Sequence, residues 1–356
     1  MSPTVPVALG ARQTLVRRER LLPTQGEVLV AKGRTVRPDD VVAKGERLRL
    51  PFALPVALLL GEEGRDVSAH LLKRPGEEVG EGEIVAAKKG LFGRTAASCR
   101  SPEAGVVLDF RPQDGLLIVR PKGDDVEVCA GLAGKIAGIV PERGVVVETA
   151  AIQAHGLALV GGEVWGPLRV GSDRRDGLVV VGQEAAGCVV FGGRADADAL
   201  KRARSAGAKA VVVGGVDADA WHSLRAGGFA GLAVMVMEGV GSSPLSERTF
   251  QLLREAAGRQ ALLSPAADFG QRPLRPELVI SLHGPAQVSS EAVPRLEIGA
   301  EVRICAGPRC GCWGKVASLN LTPIRLVGNI ACPAAEVVLD DGATATVALA
   351  NLELVG

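Results

Sequence analysis

Three glycine-containing segments are the part of this sequence best suited to holding a charged small molecule. Each follows an apolar run that predicts a strand and precedes a stretch that predicts a helix. They comprise Gly192, Gly193, Gly214, Gly215, Glu238, Gly239, Gly241, Ser242 and Ser243. Backbone N–H groups at helix N-termini favour anions, and loops that follow parallel strands meet at one edge of a sheet. The segments therefore predict a pocket for a phosphorylated metabolite or a nucleotide, although tight turns alone also require glycine, and that alternative stays open.

The cysteines indicate reduced thiols rather than a metal centre. Seven of them are scattered along the chain, an odd number that fits a reducing cytoplasm better than a disulfide framework. A metal site would have to be built from Cys305, Cys310, Cys312 and Cys332. Structural zinc sites use two closely spaced cysteine pairs, which this spacing does not supply. We therefore predict no metal and no other cofactor.

The four histidines form no recognisable catalytic motif. None lies within five residues of another, and the sequence contains no HExxH, Walker A or complete GxGxxG motif. No catalytic residue is predicted on this basis. A binding protein is expected rather than an enzyme.

Charge and aromatic content weigh against a dedicated nucleic-acid-binding protein. Lys plus Arg is 41 and Asp plus Glu is 40, which gives a net charge of +1, whereas phosphate neutralisation normally requires a clear basic excess. Aromatic residues make up 3% of the chain, so an extended platform for stacking bases is not expected. Residues 1–50 nevertheless carry a local net charge of +5. Within them Arg17, Arg18 and Arg20 are candidate contacts for nucleic acid or an acidic protein, with a solvated face as the alternative.

The first part of the chain predicts β-structure. Over residues 26–120, short runs of Val, Ile and Leu are separated by Gly, Pro and Asp, as in strands joined by turns. The pattern of residues 104–119 reappears 29 residues later, over 133–148. Each copy predicts a β-hairpin, and two related hairpins suit a small barrel.

A second pattern overlaps this repeat. It consists of Pro75-Gly76-Glu-Glu-Val79, Gly82-Glu-Ile-Val-Ala86 and Ser101-Pro-Glu-Ala-Gly105-Val-Val. The pattern resembles the biotinyl/lipoyl-like barrel-sandwich hybrid, whose carrier members modify a lysine at a hairpin tip. Lys88 and Lys89 are the nearest candidates, but their Ala-Lys-Lys-Gly context differs from that of the carriers. The resemblance therefore implies a structural or interaction unit.

Residues 177–265 predict strands that alternate with helices. Their apolar runs lack polar alternation, which is typical of strands covered on both faces. Helices are predicted over Ala195–Ala206, Asp217–Ala226 and Ser246–Gly258, the last with Ser246 as its N-cap. This alternation predicts a small parallel α/β layer, which would place the three glycine segments at one edge.

The C-terminal residues carry the strongest resemblance to a known family. Leu296–Ile304 predicts a strand, Gly307-Pro308 a turn, and Gly311-Cys-Trp-Gly314-Lys-Val316 the next strand. Residues 336–342 and 347–353 predict a later hairpin and a closing strand. The pattern resembles the KOW family of SH3-like barrels. The resemblance implies binding of RNA, ribosomal proteins, polymerase or a second copy.

The KOW resemblance also implies which side chains would meet a partner. In nucleic-acid-binding relatives, basic side chains on the loops meet phosphate, and the matching residues here are Arg303, Arg309, Lys315 and Arg325. Residues 295–356 hold five basic and six acidic side chains, a net charge of −1. This balance favours a protein-facing or structural module over contact with RNA or DNA, and both stay open.

Together these patterns predict a multi-domain α+β protein. Its parts are a β-rich region with a barrel-sandwich-like hairpin repeat (1–170), a small parallel α/β domain (171–270), a linker (271–295) and a KOW-like SH3 barrel (296–356). We expect a non-enzymatic binding or scaffold protein, associated with the transcription or translation machinery through the KOW-like part. Two alternatives stay open: a protein, or an enzyme, that binds a phosphorylated small molecule or nucleotide at the glycine segments, and a structural subunit that assembles with itself.

The expected partners and location follow from the same features. A protein complex is the expected partner, with RNA or DNA and a homo-oligomer as further options. The longest apolar run, residues 51–60, contains two prolines and is too short to cross a bilayer. Because the N-terminal residues also lack a signal-peptide pattern, we expect a cytoplasmic protein that does not bind membranes.

Overall fold

The chain is predominantly β. The computed structural model describes residues 8–9, 11–89, 94–180, 182–265, 275–282 and 296–354. Strands hold 49% of the described residues and helices 12%. The expected α+β class is therefore wrong. Runs of β-branched and other apolar residues broken by turn formers favour many short strands.

The strands of the N-terminal part are β1 (Ala8–Leu9), β2 (Arg12–Leu21), β3 (Gly26–Val28), β4 (Thr35–Val36), β5 (Val41–Arg47), β6 (Phe52–Pro55), β7 (Glu78–Val79), β8 (Ile84–Lys89), β9 (Thr95–Arg100), β10 (Gly105–Arg111), β11 (Leu116–Pro121), β12 (Asp124–Cys129), β13 (Gly134–Val140), β14 (Gly144–His155), β15 (Ala158–Val160) and β16 (Val164–Val170). The later strands are β17 (Val189–Ala195), β18 (Ala210–Val216), β19 (Ala233–Val240), β20 (Gln260–Ser264), β21 (Glu277–Ser281), β22 (Glu301–Ile304), β23 (Trp313–Arg325), β24 (Ala331–Leu339), β25 (Thr344–Ala348) and β26 (Leu352–Leu354). The α-helices of the described ranges are α1 (Val56–Leu59), α2 (Ala197–Ser205), α3 (Ala218–Arg225) and α4 (Glu247–Glu255). No helix in these ranges is both long and apolar enough to cross a membrane.

The 29-residue repeat forms two β-hairpins, which confirms the prediction from sequence. β10 pairs with β11 and β13 pairs with β14, both antiparallel, with register shifts at Val107–Asp109 and Ile136–Gly138. The two copies also share pairings outside the hairpins. In one copy β7 pairs with β10 and β8 pairs with β9. In the other copy the corresponding pairs are β4 with β13 and β5 with β12. The chain therefore contains one set of strands twice. The copy built from β6 to β11 is inserted between β5 and β12 of the other copy.

The strands predicted for an α/β domain lie in a mixed eleven-stranded sheet. Its order is β15-β19-β18-β17-β16-β20-β21-β14-β13-β4, and β2 pairs with β14. Among the described strands of this mixed sheet, three pairings from β16 to β19 are parallel and the other seven are antiparallel. The prediction of a central parallel α/β layer is therefore wrong. The pattern was misleading because apolar runs without alternation indicate only that both faces of a strand are buried. This is true of a central strand in a mixed sheet as well as of one in a parallel sheet.

The mixed sheet also uses residues predicted as linker. Residues 271–295, predicted as a linker, contain β21, which lies between β20 and β14. Residues 271–274 and 283–295 lie outside the described ranges. The mixed sheet thus takes strands from both sides of the boundary predicted at residue 170.

Helices α2, α3 and α4 confirm the three helices predicted from sequence. Each begins after an N-cap side chain that accepts a hydrogen bond from the backbone N–H three residues later, namely Asp196 (2.7 Å), Asp217 (2.6 Å) and Ser246 (3.2 Å). Such a cap contributes about 1 kcal/mol. Leu200 and Leu224 place α2 and α3 on one face of the mixed sheet, while α4 packs on the opposite face.

The C-terminal residues form a separate six-stranded sheet. Its order is β1-β26-β22-β23-β24-β25, and its core includes Val302, Val337 and Leu352, all fully buried. β1 is parallel to β26, and the chain then continues into β2, which pairs with β14 of the mixed sheet. The N-terminal strands therefore join the two sheets. Whether the C-terminal sheet belongs to the KOW family stays a prediction.

Candidate functional site

Two of the predicted glycine pairs lie inside strands and face the protein's own backbone. The pairs are Gly192-Gly193 in β17 and Gly214-Gly215 in β18. A Cβ at Gly193 would lie 2.4 Å from a backbone oxygen of the segment 171–177. A Cβ at Gly214 would lie 2.4 Å from a backbone nitrogen of the segment 241–245. Glycine is therefore needed here because two loop segments lie directly across the strands.

The helix ends beside these glycines carry carboxylates. Asp196 and Asp217 cap α2 and α3, and Glu238 Oε1 accepts a hydrogen bond from the Ser246 backbone N–H before α4, at 3.1 Å. A phosphate at any of these ends would meet a like charge, which opposes binding. Ser242, the most exposed of the predicted ligands, lies on the surface. The phosphate pocket stays a prediction that this geometry does not favour.

Glu238 instead lines a cavity between the mixed sheet and the C-terminal sheet. The cavity has a volume of about 120 Å³. Its polar lining includes Glu238, Thr249, Arg275, Cys305, Asn351 and Glu353. Much of the remaining lining consists of alanine side chains. Because ligand sites occur preferentially at interfaces between structural units, this cavity is the candidate functional site.

Arg303 is buried beside the cavity and bridges two carboxylates. Its Nη2 atom lies 2.8 Å from Glu238 Oε2, and its Nη1 atom lies 3.2 Å from Glu353 Oε2. The Arg303 and Glu238 side chains are only 8% and 10% exposed. A charge at such depth is costly unless it is paired. Arg303, in β22 of the C-terminal sheet, therefore ties that sheet to β19 of the mixed sheet.

Burial sets the protonation of the groups around Arg303. Burial opposes the charged guanidinium, but Glu238 and then Glu353 outweigh it and raise the pKa of Arg303. Burial raises the pKa of Glu353, with Glu238 adding to the rise and Arg303 opposing it. Burial, with a contribution from Glu353, raises the pKa of the Cys305 thiol to about 12. At neutral pH Cys305 is therefore a protonated thiol and a poor nucleophile.

The cysteines considered for a metal site are dispersed in the C-terminal sheet. Cys310 Sγ lies 3.3 Å from the backbone oxygen of Cys305, and Cys332 lies opposite Ile324 in the β23–β24 hairpin. Cys312 packs against the core of the C-terminal sheet. Within the described ranges, no group of three or more His, Cys, Asp or Glu side chains could hold a metal ion.

Most of the basic residues predicted to contact a partner are paired within the chain. The pairs are Arg17–Glu148, Arg18–Glu277, Arg20–Glu163, Arg303–Glu238, Arg309–Asp341 and Lys315–Glu301. Arg325 is exposed, and it has no ion pair within the described part of the chain. Pairing neutralises these charges locally, which weakens the attraction for phosphate.

The far end of the β23–β24 hairpin exposes apolar side chains. We call residues 320–333 the hairpin end; none of them is buried, whereas Ala334 and Ala335 at its base are fully buried. Exposed fractions are 103% for Val327 and 65% for Ile330. Apolar side chains in such a position are available to a partner.

Lys88, a candidate for modification, forms an ion pair. Its Nζ atom lies 2.6 Å from Glu62 Oε1, and Lys89 is the last residue of β8. Residues 90–93, which follow them, lie outside the described ranges. Lys88 is thus paired with Glu62 within the inserted set of strands.

The structure brings together residues that the sequence had assigned to separate sites, and it adds others. Glu238 and Arg303 meet at the cavity, while Glu353 and Arg275 were not predicted. The sequence carried no signal for Glu353, because a charge between two apolar residues of a strand, as in Leu352-Glu353-Leu354, normally faces solvent. The hairpin end could have been noticed from its low charge, since Arg325 is the single charged residue among residues 320–333.

The comparisons add no family to these observations. No protein-family model matches the chain, and a search of curated proteins gives no match. The residues themselves therefore carry the evidence for function.

Proposed function

We propose that the protein is a non-enzymatic binding protein that holds a protein partner on the hairpin end. The exposure of apolar side chains there, with Val327 at 103% and Ile330 at 65%, carries the proposal. Contiguous exposed apolar residues mark interaction sites. The KOW resemblance of residues 296–356 suggests where to look for the partner, namely among proteins of the transcription or translation machinery.

The charge of the hairpin end favours a protein partner over a nucleic acid. Arg325 is the single charged residue among residues 320–333. A phosphate-binding surface needs several cations, because neutralised phosphates supply its affinity. A protein surface with an apolar depression and a carboxylate at its rim would complement the hairpin end. Val327 and Ile330 would enter the depression while Arg325 pairs with the carboxylate.

The hairpin end is held in place before any partner binds. β23 and β24 pair from Gly314–Leu339 out to Arg325–Ala331, with a register shift between Asn320 and Ile324. Preformed backbone pairing lowers the entropy lost on binding. This supports recognition by a fixed surface rather than by a segment that folds on binding.

The test is capture of partners by wild type and by a Val327→Asp variant. Both tagged proteins are incubated with native lysate, with and without nuclease, and the captured proteins are quantified by mass spectrometry. We expect ribosomal or polymerase-associated proteins that survive nuclease and fall about tenfold or more with Val327→Asp, because a charge would be buried in an apolar interface. The Leu50→Asp variant is the matched control, since Leu50 is 89% exposed in the N-terminal region.

Three outcomes would contradict the proposal. If nuclease treatment abolishes capture, the partners are held through RNA or DNA and not by direct contact with the hairpin end. Equal capture by wild type and Val327→Asp would remove the hairpin end as the binding surface. A lower particle mass of Val327→Asp, measured by light scattering, would show that the hairpin end joins copies of the chain, as expected of a self-assembling subunit.

A further inference from the structure

The cavity beside Arg303 has the size of a very small organic molecule. Its volume of about 120 Å³ is somewhat less than the roughly 150 Å³ of an engineered cavity that holds benzene. A molecule of about five or six non-hydrogen atoms would fill such a space. The alanine side chains at four lining positions leave room for a ligand with almost no side chain of its own: Ala11, Ala154, Ala306 and Ala350.

The lining carries charges of both signs. Glu238 and Glu353 contribute carboxylates, and Arg275 contributes a guanidinium. Arg303 neutralises one negative charge of the two carboxylates. The charges that remain in the lining are one negative carboxylate charge and the positive charge of Arg275. A zwitterionic ligand, which carries one charge of each sign and no net charge, would complement them.

The oxygens of the two carboxylates differ in how they are used. Glu238 Oε1 accepts the Ser246 backbone N–H and its Oε2 contacts Arg303. Glu353 Oε2 contacts Arg303, whereas no hydrogen bond from the described residues reaches its Oε1 atom. Glu353 Oε1 is therefore available to an ammonium group. Burial raises the pKa of Glu353, and a bound cation would relieve that unfavourable effect.

Arg275 supplies the complementary end. It lines the cavity and is half-buried, and no hydrogen bond or ion pair joins it to the described residues, although its charge reaches Glu353 and Cys305 and opposes the rise of their pKa values. An arginine side chain binds a carboxylate through two parallel hydrogen bonds. Thr249 and Asn351 add uncharged polar groups to the same lining.

We propose that this cavity binds a short zwitterionic amino acid of the size of glycine, alanine or β-alanine. The ligand carboxylate lies on Arg275, and its ammonium group lies on Glu353 Oε1. This site is separate from the hairpin end and does not depend on the partner proposed for it. Both sheets contribute to the site, so the bound amino acid stabilises their contact.

Calorimetric titration of the full chain with glycine, alanine and β-alanine tests the proposal. We expect saturable binding of at least one of them. Sodium acetate and ammonium chloride, which each carry one of the two charges, should bind far more weakly, and leucine should be excluded by its size. Thermal unfolding with the same compounds should show stabilisation by the amino acid that binds.

Two substitutions locate the site. Arg275→Gln and Glu353→Gln each remove one charge and should weaken binding about tenfold or more, the usual effect of losing a charge-assisted hydrogen bond. Arg111→Gln and Glu81→Gln, at exposed positions elsewhere, are the matched controls and should bind as wild type does. Because Arg275 is half-exposed, its substitution is expected to leave folding intact, which circular dichroism checks.

Any of three results would overturn the proposal. The first is the absence of saturable binding by all three small amino acids. The second is binding of acetate or ammonium as tight as that of the amino acid, which would mean that one charge suffices. The third is unchanged affinity in folded Arg275→Gln and Glu353→Gln proteins, which would place the ligand elsewhere.

Discussion

Glu353 shows how burial changes the chemistry of a single carboxyl group. Folding moves it out of water and beside Glu238, and these effects raise its pKa above the ordinary value of 4.5 despite the opposing Arg303. A group whose pKa rises on folding binds more protons in the native state than in the unfolded state. Its contribution to stability is therefore complete below pH 4.5 and is lost as the pH rises through the native pKa.

Replacing Glu353 with glutamine removes this titration and nearly preserves the shape of the side chain. We expect the free energy of unfolding of Glu353→Gln, relative to wild type, to increase as the pH rises from about 4.5 towards neutrality. Urea unfolding at a series of pH values measures this difference. The exposed control Glu81→Gln should show little change with pH, and a flat or falling difference for Glu353→Gln would contradict the raised pKa.

What the sequence predicts for one residue depends on how far away its partner lies. Ser246 was predicted as an N-cap, and this is confirmed, because the donor is three residues along the same helix. Arg303 was expected to face a partner, but it is buried against Glu238, a residue of another sheet. Local chemistry can be predicted from neighbours in the sequence. The direction of a long charged side chain depends on which distant segments pack against it.

Among the elements, the duplicated hairpins place Gly105 and Gly134 in equivalent positions. A Cβ at Gly105 would lie 2.2 Å from the backbone oxygen of Arg120, and one at Gly134 would lie 2.5 Å from the backbone oxygen of Glu148. Both contacts are with neighbouring strands, so no side-chain rotation can relieve them. Glycine therefore lets the strands approach each other in both copies.

The Gly134→Ala variant tests this close approach. We expect the free energy of unfolding to fall by about 1–3 kcal/mol, the usual effect of overpacking. Gly162→Ala is the control, because a Cβ there meets nothing within 4 Å, and it should change stability by less than about 0.5 kcal/mol. Denaturant unfolding compares the two. Equal stabilities of the two variants would mean that β13 and β14 do not approach as closely as described.

The same elements show where prediction from sequence ends. The hairpins could be predicted because their two strands are adjacent in the chain and their pattern occurs twice. The parallel layer was predicted wrongly because the apolar runs of β17, β18 and β19 indicate burial but not which strands lie beside them. β20, β21 and β14 complete the mixed sheet from distant parts of the chain. The cavity was not predicted for a related reason, since it forms only where two sheets meet.

At the scale of the molecule, two kinds of contact join the mixed sheet to the C-terminal sheet. The N-terminal residues pair with β26 through β1 and with β14 through β2. Arg303 adds a buried ionic contact to Glu238 across the same junction. The two sheets are therefore expected to respond together when the junction is weakened, even though each has its own apolar core.

The Arg303→Met variant tests the junction directly. It leaves Glu238 and Glu353 buried without their cation, so we expect the free energy of unfolding to fall by about 3–5 kcal/mol. Adding Glu238→Gln and Glu353→Gln to that variant should restore part of the loss, because the uncompensated charges are then removed. Arg309→Met is the control; its contact with Asp341 is exposed and contributes less than about 1 kcal/mol. Denaturant unfolding measures all four proteins, and an Arg303→Met variant no less stable than Arg309→Met would show that the ion pair does not hold the two sheets together.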